Sequence, residues 1–237
     1  NVNFNGRYDD IYTVFDKDIT VLGDNKYSSD DSKSLNNTFY ATIVAGEGIP
    51  LTFIDNTIEV TTLPPKFDLR DWGWVTSVKD QGRMGSCWSF GGSAAMESAI
   101  LRYLGIYTDL SENNMQDLSL KYYMYGSNSS FEANNGFTPG QYAVSWLGVF
   151  DEEYDVYDQL GKISPIFATP SNIHIQDFII ISPRTSPTDN NPLKEAVLKY
   201  GALCVNYYAI SGGPEQYYNG TATINHAVTL IGWDDNK

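Results

Sequence analysis

Residues 87–104, Cys-Trp-Ser-Phe-Gly-Gly-Ser-Ala-Ala-Met-Glu-Ser-Ala-Ile-Leu-Arg-Tyr-Leu, are apolar nearly all the way round a helix. Their polar positions Ser89, Ser93 and Glu97, with Ser86 just ahead, fall on one narrow stripe at helical spacing. A helix apolar on almost every face has to be covered on almost every face, so the rest of the chain must fold around it. Gly91-Gly92 inside it costs about 1 kcal/mol per glycine relative to alanine, which close packing against a neighbour offsets. The expectation is a buried central helix.

Cys87 opens that helix, and Gln81 lies six residues upstream in Gln81-Gly-Arg-Met-Gly-Ser-Cys87-Trp-Ser-Phe90. A thiol at a helix N-terminus meets unpaired backbone N–H groups and the positive end of the helix dipole, and both favour the nucleophilic thiolate form. The Gln81 amide and the Cys87 backbone N–H form a candidate pair of donors aimed at an oxyanion. Far downstream, Asn225-His226-Ala227 supplies an imidazole to pair with the thiol. Taken alone, Cys87 is as well read as one more core residue of the helix. The flanking motif and His226 favour the nucleophile.

Composition bounds the partners. Among 237 residues, 15 Lys and Arg against 29 Asp and Glu leave a net charge of −14, which argues against binding nucleic acid phosphates. Such a balance suits a secreted or surface-exposed protein and mildly favours cationic partners. Two cysteines, Cys87 and Cys204, offer no disulfide framework. No apolar stretch approaches the roughly 18–20 residues of a membrane span. Asn-x-Ser/Thr sequons occur at Asn36, Asn128 and Asn219. Because residue 1 is Asn and no leader precedes it, the chain is expected to be a processed or excised piece, extracellular or at a cell surface.

Two regions are expected. Residues 1–63 read as a β-rich segment, or the end of an upstream module, with candidate strands at 11–15, 19–22, 39–44 and 58–62 between Gly, Asn, Asp and Ser breakers. Pro64-Pro65 marks the boundary, and 64–237 form the second region. Within it a further helix is expected over 192–200, with Pro192 in its first turn and Gly201 at its end. Strands are expected over 202–209 and from His226 to Gly232. Helices come first and strands later, which makes the fold class α+β.

Four stretches, in order, resemble the papain-like cysteine proteases. They are Phe67-Asp-Leu-Arg-Asp71 with Val75 to Gly82, Gly85-Ser-Cys-Trp-Ser-Phe90, Leu110-Ser-Glu-Asn113, and Asn225-His-Ala-Val228 with Gly232-Trp233. Cys87 and His226 stand 139 residues apart, inside the roughly 130–150 known for that family. The resemblance covers about residues 65–237. It implies a two-lobe fold, with a helical lobe whose central helix starts at the nucleophile and a β-barrel-like lobe. It also implies a peptidase without a cofactor or metal, acting on protein or peptide substrates. Cys87 would be the nucleophile, His226 the base and then the acid, and Gln81 part of the oxyanion hole, with a thiolate–imidazolium pair at rest. Gly136 is matched loosely to the glycine stretch that binds substrate backbone.

The chain departs from the pattern in two ways. Met84 and Leu118 stand where many members carry disulfide cysteines, as in certain prokaryotic surface members, so packing must hold the first lobe. The Asn-Ser-Trp motif that orients the imidazole is absent from the eleven residues after His226. The peptidase region is therefore expected to lack its C-terminal end, leaving a sheet edge unpaired unless a further segment or chain completes it. The rival reading is a cell-surface binding or adhesion module on the same scaffold that has lost turnover. A transglutaminase-type acyl transfer uses similar chemistry but fits the local motif less well. Cys204 and His174 read as buried structural residues of strands, and Asp9-Asp10, Asp30-Asp31 and Asp151-Glu152-Glu153 as solvated carboxylates.

Overall fold

The computed structural model describes residues 39–45, 62–121, 138–145, 149–159, 164, 173–181, 186, 188–209 and 224–236. The candidate strands at 11–15 and 19–22, nearly all of 58–62, and Gly136 lie outside them.

Helix α1, Cys87–Leu104, occupies the span its apolar composition predicts and ends on Gly105 in the left-handed conformation (φ 67°). On one side it meets α2, Glu112–Lys121, and α3, Thr138–Val144. The other side packs on strands β1 (Phe39–Ala45), β4 (Leu203–Tyr207) and β5 (His226–Leu230). Helices on one side and sheet on the other give the α+β arrangement of two lobes, with α1 between them.

The paired glycines explain how α1 is approached from both sides. A side chain at Gly91 would stand 3.2 Å from Cys204 Sγ and 3.3 Å from the Val228 carbonyl oxygen. One at Gly92 would run into the ring of Pro139 on α3. Each glycine lets one lobe close on the helix, which offsets its cost to helicity. Trp88, Met96 and Ile100 are fully buried around them and share a core with Leu118 and Met115 of α2 and Tyr142 of α3. Met84 and Leu118, where the resemblance implies disulfide cysteines in many members, are both buried.

In the second lobe the strand order is β3-β1-β4-β5, with β3 spanning Ile173–Ile180 and every neighbouring pair antiparallel. Among the described residues β5 has a partner on one side only. Helix α4, Asn191–Tyr200, carries proline in its first turn and buries Ala196 and Val197 against Leu203 and Leu69. The strand expected from His226 to Gly232 is broken at Ile231. There the chain leaves β4, and the Ile231 carbonyl accepts from the Leu69 N–H (2.9 Å). It continues as β6, Gly232–Asp234, paired with β2, Lys66–Asp68. This ribbon ties the chain just after the Pro64-Pro65 boundary to the histidine strand.

Candidate active site

The segment entering α1 is held by side chains that sequence reasoning missed. Lys79 Nζ lies 2.7 Å from Glu97 Oε1 on α1, 2.8 Å from Glu112 Oε1 on α2 and 2.6 Å from Asp109, and donates to the Leu110 carbonyl (3.1 Å). Glu97, fully buried, also accepts from Thr76 Oγ1 (2.5 Å) and the Leu110 N–H (2.7 Å). Burial raises Glu112 to about 8, and Lys79 pulls it back only partly. Glu97 is raised for the same reason. Burial pulls Lys79 down, but Glu112 and Glu97 outweigh it and hold the ammonium charged. Glu97 on α1 is thus an anchor for the segment that leads to Gln81.

From that anchor the loop turns at Gly82, whose φ of 63° suits glycine. The Gly82 N–H bonds Asp80 Oδ1 (2.8 Å) and the Arg83 N–H bonds Gln159 Oε1 (2.9 Å). Tyr157 is the second clamp. Its hydroxyl donates to the Gln81 carbonyl (2.8 Å), so the Ser86 hydroxyl, 2.7 Å away, must donate to it. Its ring meets Phe90 edge-on at 4.8 Å. Tyr157→Phe removes both hydrogen bonds and keeps the ring contact. At about 1 kcal/mol per bond, the fold should lose about 2 kcal/mol in urea unfolding and its melting temperature should fall by about 4–8 °C.

Clamping Ser86 leaves the helix start open. Ser86 makes no side-chain cap, and its carbonyl takes the N–H groups of Ser89 (2.9 Å) and Phe90 (3.2 Å). The Cys87 and Trp88 N–H groups, which no intrahelical carbonyl can reach, remain as donors. Gln81 Nε2 gives one hydrogen to the Met84 carbonyl (2.7 Å), and its second is unused among the described residues. Cys87 itself is 6 % exposed, so its thiol has only a narrow opening to solvent.

His226 opens β5, the strand that packs along α1. Thr229 Oγ1 donates to the Gly91 carbonyl (3.2 Å), and further along the Ala202 N–H donates to Ser98 Oγ (3.2 Å), beside the Leu203–Leu230 pair. Helix α1 and strand β5 therefore run in the same direction. Stepping back about 6 Å along the helix reaches Cys87 from Gly91, and stepping back about 10 Å along the strand reaches His226 from Thr229. Cys87 and Ala227, the residue after His226, share one buried cluster.

The His226 ring lies 5.7 Å from that of Tyr207, and its side chain makes no hydrogen bond among the described residues. Burial therefore pushes its pKa down with nothing to offset it.

Cys204 is fully buried on β4, and burial, with Cys87 nearby, pushes its thiol up to about 12. It is a protonated core residue. His174 sits on β3 opposite Val44 and is placed in the sheet, apart from this constellation. Among the described residues no group of three His, Cys, Asp or Glu is arranged to hold a metal, and no helix is long and apolar enough to cross a membrane.

Residues 63–237 match the model of the papain family of cysteine proteases. Cathepsin L of Sarcophaga peregrina is 44 % identical over 184 residues, which cover 74 % of this chain and 52 % of that protein. The chain thus spans about half the length of the curated relatives it matches. Among solved structures, bromelain protease from Ananas comosus in complex with the E64 inhibitor aligns with a TM-score of 0.58 at 28 % identity, over 73 % of this chain and 77 % of that one. The protease and lectin-like domains of Cwp84, a surface-layer-associated protein of Clostridium difficile, align with a TM-score of 0.56 at 24 % identity, over 73 % and 40 % of the two chains.

Proposed function

Because this chain belongs to the papain family of cysteine proteases, we propose that it hydrolyses peptide bonds through a thioester at Cys87, with His226 as base and acid. What supports this most is an uncapped helix start at Cys87 that shares a buried cluster with Ala227, the neighbour of His226 on β5. In the reaction, His226 holds the Cys87 proton and the sulfur attacks the peptide carbonyl carbon. The carbonyl oxygen becomes an oxyanion facing the Cys87 N–H and the second hydrogen of Gln81 Nε2. The oxyanion collapses to the thioester as His226 gives the proton to the leaving amine. Water, deprotonated by the same ring, then cleaves the thioester and returns the thiol.

Gln81 makes the sharpest test of this arrangement. Gln81→Ala should lower kcat about 10²- to 10³-fold on a fluorogenic peptide amide, the usual cost of one oxyanion donor, while KM changes little. Unchanged kcat would remove Gln81 from the mechanism.

A second reading, a binding or adhesion module on the same scaffold, draws on the His226 ring having no hydrogen bond among the described residues. On that reading the protein captures a peptide or protein and releases nothing. Binding that persists unchanged in Cys87→Ser, with no hydrolysis by the wild type, is its signature. On the peptidase reading, the group orienting His226 comes from outside the described residues, including any further segment or chain. Activity outside the cell or at its surface rests on the acidic composition.

A further inference from the structure

Strand β1 lies in the chain before the family match begins, yet in the strand order it stands between β3 and β4 of the second lobe. Along its full length it pairs with β3, from Phe39 opposite Ile180 to Ala45 opposite Ile173, with one irregularity between Thr42 and Ile43. At Phe39 it also meets Cys204 of β4, whose other side pairs with Thr229 of β5. Helices α1 and α3 lie against it. Among the described residues it is the strand through which β3 joins the β4–β5 pair beside Cys87 and His226.

The sequence agrees with that position. Phe39-Tyr-Ala-Thr-Ile-Val-Ala45 contains no charged residue and no proline. An edge strand is usually blunted by charge or proline, whereas a strand covered on both faces reads as a continuous uncharged run. Withdrawing it would leave the edge of β3, and β4 at Cys204, with unpaired N–H and C=O groups, which are costly where they are buried.

We propose that β3, with the Cys204 end of β4, forms a site for an extended antiparallel strand, and that residues 39–45 are its resident occupant. The region ahead of the peptidase match is then a structural part of the second lobe. Cutting the chain between β1 and Pro64 does not release it. This inference is independent of turnover at Cys87.

The test inserts a specific protease site between Gly48 and Ile49 of the full chain and cuts the folded protein. In native buffer the two pieces should co-elute one to one on size exclusion, and separate only in denaturant. In the uncut chain, hydrogen exchange read by mass spectrometry should find the amides of 39–45 slowed at least about 100-fold relative to an unfolded peptide, as for β4. The second readout removes retention through residues 1–38 as an explanation. Separation in native buffer, whether or not the larger piece stays in solution, would overturn the proposal. So would exchange of 39–45 at unfolded rates.

Discussion

Replacing Cys87 by Ser or His226 by Ala is expected to lower kcat on a peptide amide by about 10⁴- to 10⁶-fold, and the double variant should be no slower than the worse single one. The sulfur supplies the bond that becomes the thioester, and the ring moves the proton at each step, so neither acts usefully without the other. Serine keeps the geometry but offers a much poorer nucleophile to a base of ordinary strength. Melting temperatures should stay close to the wild type, since Cys87 touches the core only at the helix start and His226 is partly exposed. Steady-state kinetics on the three variants, with circular dichroism as the folding control, checks this. Retention of more than about a tenth of wild-type kcat in either single variant would contradict the assigned roles.

Lys79→Met should destabilise the fold by about 3–5 kcal/mol in urea unfolding, because it leaves Glu97 and Glu112 buried without their counter-charge. The wild type carries the opposite signature in its pH dependence. Glu112 is raised to about 8 in the folded chain, and Glu97 is raised as well. A carboxyl whose folded pKa lies above its unfolded value gives stability that is complete below the unfolded value and is lost as pH rises through the folded one. Wild-type stability should therefore fall between about pH 4.5 and about pH 8 through this group. Lys79→Met should make that fall larger and carry it to higher pH, and adding Glu112→Gln should recover part of it. A Lys79→Met chain as stable as wild type at pH 7 would show that the cluster does not hold the loop before Gln81.

The central helix was legible because a run apolar on all faces admits one burial solution, and its span 87–104 agrees with the structure. Helix 192–200 was legible from Pro192 and Gly201, with its start one residue earlier at Asn191. Residues 39–44 carry a strand signal, but composition does not encode which strands a β-segment joins, and its partners lie more than 125 residues away. The break at Ile231 was hidden for the same reason. Its cause is the Leu69 N–H, supplied from the start of the matched region.

At the site, Cys87, Gln81 and His226 stood out through spacing and resemblance. Tyr157 did not, being one of 17 tyrosines, and in a segment with no periodic pattern. Lys79 was equally quiet, although Glu97 on an otherwise apolar helix was a signal that a cation had to be found for it. The orientation of His226 is the place where resemblance and structure part. The family pattern supplies an amide to the ring, and among the described residues the ring has a tyrosine neighbour and no hydrogen bond.

The most direct measurement is the rate of alkylation by an epoxysuccinyl thiol label near pH 6, followed by intact mass and peptide mapping. An ordinary thiol is almost fully protonated at that pH, and Cys204, pushed up to about 12 and fully buried, should not react. The account predicts one fast addition, mapped to Cys87, that Cys87→Ser abolishes and His226→Ala slows at least about tenfold. No addition to a folded sample, or equal addition at both cysteines, would contradict it.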